Sequence, residues 1–311
     1  MQAFLLDWIR NIPPLAVPYA LASLGLIIGE KSGILSLGAE GLMLVGALAG
    51  IGAYLSLAAN PGLALCVAML AASAVSVIFA VLVILLRVNQ VIAGLALVFF
   101  CQGLTNLIGT LTGWTNHTIA GLGPLPLYPL SDIPLLGRAL FTQDAVVYLT
   151  VPIVFAVTYF LYRTNNGLRL RSVGESPETA DAAGLNIYAY RFAAVVGGSA
   201  LVGLAGGYLS IASAKIWIVN MTGGRGWIAV ALVIFARWHP WRALAGAILF
   251  GSIEALIPQV AAAGIHVPQY YVTMTPYLAT LVVMIWQGVR VAAGSGEPGA
   301  LGQPYVREER R

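Results

Sequence analysis

Apolar residues run through this chain in blocks of about twenty, the length a helix needs to cross the hydrocarbon of a bilayer. Nine such blocks can be read, at roughly 12–29, 34–58, 62–86, 88–113, 145–162, 189–212, 220–236, 240–262 and 271–289. In hydrocarbon each backbone amide must be satisfied within the protein, so blocks of this kind become helices. Composition agrees: 59% of the residues are hydrophobic and 9% are charged, whereas an ordinary soluble domain has about a quarter charged. The expected fold is all-α, a polytopic membrane protein with about nine transmembrane helices and a single domain over residues 1–311. The start, MQAFLLDWIRNIPP, puts an acid before its only base and has no small-residue cleavage site, so no signal peptide is expected.

Charge gives the orientation. With residues 163–188 placed in the cytoplasm, the inside receives twelve Lys and Arg and the outside four, Arg10, Arg138, Lys215 and Arg225. The N-terminus then lies outside, residues 114–144 form a Pro- and Gly-rich external loop, and 290–311 form a cytoplasmic tail. A 34–58 segment that dips in and returns would exchange Arg10 with Lys31 and leave the count unchanged. The excess of 16 bases over 12 acids follows from topology and calls for no nucleic-acid partner. Cys66 and Cys101 lie in apolar runs and read as small buried hydrophobes. The three histidines fall in separate loops, and HExxH, CxxC and GxSxG motifs are missing, so neither a metal nor a cofactor is expected.

Polar groups inside the apolar blocks are costly and therefore candidates for function. Glu40 lies among Gly33, Gly38, Gly41 and Gly46; it either lines a cavity or sits near the headgroups in a closely packed helix. Gln102, Thr105, Asn106, Gly109, Thr110 and Gly113 share one helix face, either a solute path or an interhelical hydrogen-bonding face. Ser199, Gly203, Gly206, Ser210 and Ser213, with Gly203 and Gly207 as a GxxxG pair, read as a close-packing face. Glu254, followed by Pro258, could line the path or bond locally. With Glu40 and Glu254 as the acids well inside blocks and no Lys or Arg at a block centre, ion coupling is poorly provided for.

Seven of the 28 charged residues fall between Arg163 and Arg191. Within that stretch, Ser176–Gly184 has the parts of a short capped helix: Ser176 as cap, Pro177 at the first position, Glu178 at the positive end, alanines, and Gly184 as the stop. A helix this short does not persist alone in water and must dock on something.

Gly167–Gly184 with Tyr190–Gly207, Gly33–Gly41 (GILSLGAEG) and Gly226–Val233 (GWIAVALV), in that order, resemble the permeases of ABC importers of the branched-chain amino acid, simple-sugar and nucleoside type. The likeness is strongest to the shorter permease of nucleoside importers. It implies a type II ABC importer permease fold in a bacterial cytoplasmic membrane. It also implies a separate cytoplasmic ATPase, a second, paralogous permease and an extracytoplasmic solute-binding lipoprotein. Coupling to the ATPase would run through Gly174, Glu175, Ser176, Pro177, Glu178, Asp181 and Gly184, and the path through Glu40, Gln102, Thr105, Asn106 and Glu254. Ser36 stands where the family often has Asn, and Phe235-Ala236-Arg237 replaces a glycine-containing turn; both departures bear on solute identity more than on fold. A sugar or branched-chain amino-acid permease is the nearest alternative, an ion-coupled secondary carrier a more distant one, and a membrane enzyme or scaffold a third class.

Overall fold

The computed structural model describes residues 2–57, 59–133, 136–262 and 296–306, together with the single positions 274, 278, 281, 282 and 285. The expected crossing at 271–289 therefore lies outside the described residues, apart from those single positions.

The chain runs through α1 (Gln2–Glu30), α2 (Ala39–Ser56), α3 (Pro61–Ala80, continued by a π-helical turn to Leu85), α4 (Gln90–Leu111) and a short α5 (Leu136–Leu140). It continues through α6 (Ala145–Arg163), α7 (Asn165–Glu175), α8 (Pro177–Ala182), α9 (Ile187–Tyr208, with a π-helical turn over Leu209–Ser213), α10 (Arg225–Phe235) and α11 (Pro240–Ala262). Asn60, Asn89 and Asp144 cap α3, α4 and α6 with side-chain oxygens that accept from the first free amides. α1 absorbs Pro13, Pro14 and Pro18 without ending, as helices packed inside a membrane bundle can.

α9 is the axis of the bundle. Its small residues let neighbouring backbones approach closely. A methyl group added at Gly198 would strike the Gly25 carbonyl of α1, one at Gly203 the Ala68 carbonyl of α3, and one at Gly206 the Met43 carbonyl of α2. Ser210 adds a hydrogen bond to the Ala47 carbonyl at 2.8 Å. Gly203, Gly206 and Ser210 of the expected packing face thus meet α2 and α3, Gly198 beside them meets α1, and Ser213 is exposed.

One end of the bundle is charged. It gathers the end of α1, α7, α8, the start of α9, the α10–α11 turn and residues 296–306. At the opposite end residues 115–122 lie along 211–217, with Asn116 N–H donating to Trp217 O and Ile119 N–H to Lys215 O, both at 2.9 Å. Gly33 touches Arg191 and Gly174 at the charged end, while Gly52 lies against the Trp114 ring at the other. The 34–58 segment therefore runs from one end of the bundle to the other rather than dipping and returning.

Among the described residues, seven helices are long and apolar enough to span a membrane. The segment expected as a helix over 220–236 is different. α10 has 11 residues, about 16 Å of rise, roughly half of a 30 Å hydrocarbon core. The approach to it, 214–224, is irregular, with left-handed backbone at Lys215, Asn220, Gly223 and Gly224. Within it Trp217 and Thr222 are fully buried, whereas Ile218, Val219, Asn220 and Gly223 are exposed. Arg225, counted on the outside, opens α10. Residues 163–188 also hold more structure than expected: Thr164 caps α7 through the Gly167 amide at 3.1 Å, and Gly167, Leu170, Val173 and Gly174 form its buried face. Cys101 is buried as expected, whereas Cys66 lies on the exposed outer face of α3.

Candidate functional site

The first cluster is built on α10. The leading amides of a helix have no intrahelical acceptor, and the peptide dipoles make that end electropositive. Glu40, 4% exposed, supplies the anion. Its Oε1 accepts from Thr222 Oγ1 at 2.6 Å and Gly224 N–H at 2.8 Å, and its Oε2 from Gly226 N–H at 2.7 Å. Glu40 also lies in the first turn of α2, so one carboxylate answers the positive ends of two helices. Any side chain at Gly226 would collide with the Glu40 backbone.

On the other side of α10, Arg225 pairs with Glu254 of α11. Tyr19 of α1 donates to the second Glu254 oxygen at 2.9 Å. Arg225 also reaches the Met221 and Thr222 carbonyls at 3.4 and 3.3 Å. A charge pair withdrawn from water is tolerable only with its remaining positions satisfied, and Tyr19 meets that need. Glu40 and Glu254, far apart in sequence, thus clamp the same helix start.

The polar face of α4 forms a second cluster. Gly41 packs on Val98 and Cys101, so the face begins just beyond the α2 contact. Thr105 and Thr110 turn their hydroxyls back to the carbonyls of Cys101 and Asn106, at 2.7 and 2.8 Å, which removes them from the polar face. Gln102 is half-buried. Asn106 Oδ1 is buried without a partner among the described residues, and so is the indole N–H of Trp217. Trp217 lies on Gly109, one turn beyond Asn106; a methyl there would sit 2.6 Å from its Nε1. Trp217 is fully buried, so its ring packs within the protein, and the accessible part of this cluster is Gln102 and Asn106, both half-buried.

The third cluster is α8 at the charged end. Pro177 and Ala180 face inward, and Glu178, Thr179, Ala182, Ala183 and Gly184 outward. Ser176 occupies the cap position, but its hydroxyl meets the Thr179 hydroxyl at 2.8 Å rather than a backbone amide. Gly184 takes the left-handed conformation expected of the stop. The helix docks within its own chain: Val173, Ala180, Ile187 and Tyr305 form a small core. Residues 296–306 act as a strap. Ala300 N–H donates to Gly174 O at 2.9 Å, Gly302 N–H to Gly33 O at 3.2 Å, and Lys31 Nζ to Gly296 O at 2.7 Å. The Gly299 N–H is 3.4 Å from Glu175 Oε2. An open cavity of about 280 Å³ beside α8 is lined by Asp181, Gly184, Leu185, Asn186, Ile187 and Tyr188.

Sequence reasoning missed Tyr19, Thr222, Arg225 and the strap. The pair Gly223-Gly224 ahead of an apolar run too short to span was the available signal for the broken crossing. Tyr19 and the strap had none, because their partners are remote in sequence.

The chain is 39% identical to a putative glucose ABC transporter permease protein of Haloferax volcanii, over 93% of this chain and 94% of the relative. It is 34% identical to the guanosine ABC transporter permease protein of Bacillus subtilis, over 95% of both chains. It is 30% identical to the nucleoside ABC transporter permease protein of Lactococcus lactis, over 97% of both. The model of the family described as branched-chain amino acid transport system / permease component matches residues 9–285. A polytopic helical chain with a short docked helix at its charged end, matched over nearly its whole length, belongs to that family and is a transmembrane permease subunit of an ABC transporter.

Proposed function

We propose that the chain forms half of the solute path of an ATP-driven importer for nucleosides and receives the ATPase stroke through α8. The observation that carries the coupling role is the posture of α8: seated on Ala180, it turns Glu178, Thr179 and Gly184 outward beside an open cavity. ATP hydrolysis belongs to a separate cytoplasmic subunit; Glu175, Glu178 and Gly184, with the half-buried Ser176 and Asp181, form the contact, and the buried Gly174 and Pro177 seat the helix. Reversing charge with Glu178→Arg and Asp181→Arg leaves insertion intact and abolishes coupled uptake while ATPase activity continues. Unchanged uptake in that double variant refutes the coupling role.

In this reading the charged end is cytoplasmic and the chain crosses the cytoplasmic membrane of a prokaryote nine times. The arginine bias supports it, as does the return of residues 296–306 to the charged end after α11 has led away from it. A paralogous second permease completes the path, and an extracytoplasmic lipoprotein delivers solute. Gln102 and Asn106 line the path, and Trp217, fully buried on Gly109, backs that wall. Glu40, Glu254 and Thr105 hold the wall in shape.

Two full-length relatives named for guanosine and nucleosides support the solute class. A sugar permease is the second reading, favoured by the 39% relative named for glucose. Competition of labelled guanosine uptake by adenosine, ribose, glucose and leucine separates them. Adenosine alone should compete; competition by glucose in its place moves the assignment to sugars.

A further inference from the structure

The segment between α4 and α6 lies at the end of the bundle opposite the strap and carries almost no charge. From Thr112 to Gly137 Asp132 is the one acid or base besides His117. In water such a loop would show polar groups, yet Leu125, Leu127, Tyr128, Leu130 and Ile133 are all exposed, Tyr128 by 74%. An exposed apolar patch of this kind marks a surface for protein or for membrane.

Its height along the bundle distinguishes the two. α6 has 19 residues, about 28 Å of rise, close to a hydrocarbon core of roughly 30 Å. Asp144 caps one end and Arg163 closes the other, so Asp144 marks one edge of the hydrocarbon. The patch is bonded to that edge. Leu125 N–H donates to Gln143 O at 2.8 Å and Leu127 N–H to Phe141 O at 3.0 Å. Tyr148, in the first turn of α6, donates its hydroxyl to Leu125 O at 3.2 Å and accepts from Gln143 N–H at 2.8 Å.

The surroundings at that level are apolar as well. Leu149, Phe155 and Tyr159 are exposed on the outer face of α6. Leu140 joins the loop to a cleft of about 310 Å³ beside α6 that Ile9, Ile12 and Val147 also line. The patch is therefore continuous with a lipid-facing helix and stands at headgroup depth, where tyrosine is favoured. A soluble protein that docks and leaves uses a surface about as polar as any other, which this one is not.

We propose that residues 124–133 lie in the headgroup layer of the leaflet away from the charged end. Leu125, Leu127, Tyr128, Leu130 and Ile133 contact lipid there, and the loop holds α6 at a fixed depth. The proposal rests on the membrane assignment and is independent of the solute and of the ATPase contact.

The test uses the permease with its co-expressed partner subunits in phospholipid nanodiscs. Cys66→Ser removes the exposed thiol, and Tyr128→Cys or, separately, Ile133→Cys then carries an environment-sensitive dye. Three quenchers are compared: lipid with a nitroxide near the headgroup, lipid with a nitroxide at the acyl terminus, and aqueous iodide. The shallow nitroxide should quench both sites strongly and the deep one weakly, and iodide should lose most of the effect it has on the free dye. Leu127→Asp with Leu130→Asp, both at exposed positions, should abolish lipid quenching at Ile133→Cys and restore that of iodide, with unfolding in detergent unchanged. Iodide access without lipid quenching at both sites overturns the proposal. So does lipid quenching that survives the two aspartates, because the apolar side chains then do not hold the loop in place. Shielding from iodide without lipid quenching assigns the patch to a protein and overturns it too. That protein is the binding protein if shielding appears only on its addition, and the second permease if shielding is present without it.

Discussion

Glu40 shows how a single residue can be conspicuous in sequence while its work stays hidden. An acid inside an apolar block signals importance, yet the three donors that hold it come from residues 222–226, far along the chain. Sequence patterns report local spacing, and this bond depends on a long-range approach that only the packed bundle creates. Glu40→Gln keeps the volume but sets an amide NH₂ against donors. Charge-assisted bonds of this kind are worth about 1.5–3 kcal/mol each, so the variant should unfold several degrees lower in detergent and transport less at normal expression. An unchanged unfolding temperature would show that the carboxylate does not hold α10. Thr105 teaches the converse: its hydroxyl looked available for a path, but a helix offers every Thr a carbonyl four residues back.

Among the elements, the long helices were legible because length and hydropathy suffice to define them. α10 was not, since a window average cannot separate a full helix from a half-helix preceded by irregular chain. α9 was legible in its small-residue face, and there the glycines can be told apart. Gly206 meets the Met43 carbonyl, whereas Gly197 on the same helix has nothing within 4 Å of an added methyl. Gly206→Ala must push two backbones apart, an overpacking cost of about 1–3 kcal/mol or more. Gly197→Ala removes a poor helix former and should be neutral or stabilising by up to about 1 kcal/mol. Thermal unfolding of the two variants side by side checks the assignment; equal behaviour would mean that α2 and α9 are not in backbone contact.

For the whole molecule, the strap at 296–306 joins the α1 end, α7, α8 and α9 into one body. Removing the chain from Gly296 onward should leave the membrane bundle intact but expose 176–186 to limited proteolysis and lower uptake per ATP hydrolysed. Protection equal to that of the full chain would mean that α8 is held by the bundle alone. The strap also sets an order of events during synthesis. α8 leaves the ribosome long before Tyr305 does, and Tyr305 completes the small core on which Ala180 rests. While α9, α10 and α11 are being inserted, the Pro177–Ala182 helix has an unfinished seat. Under the coupling role proposed for α8, docking of an ATPase there would wait until that seat is complete.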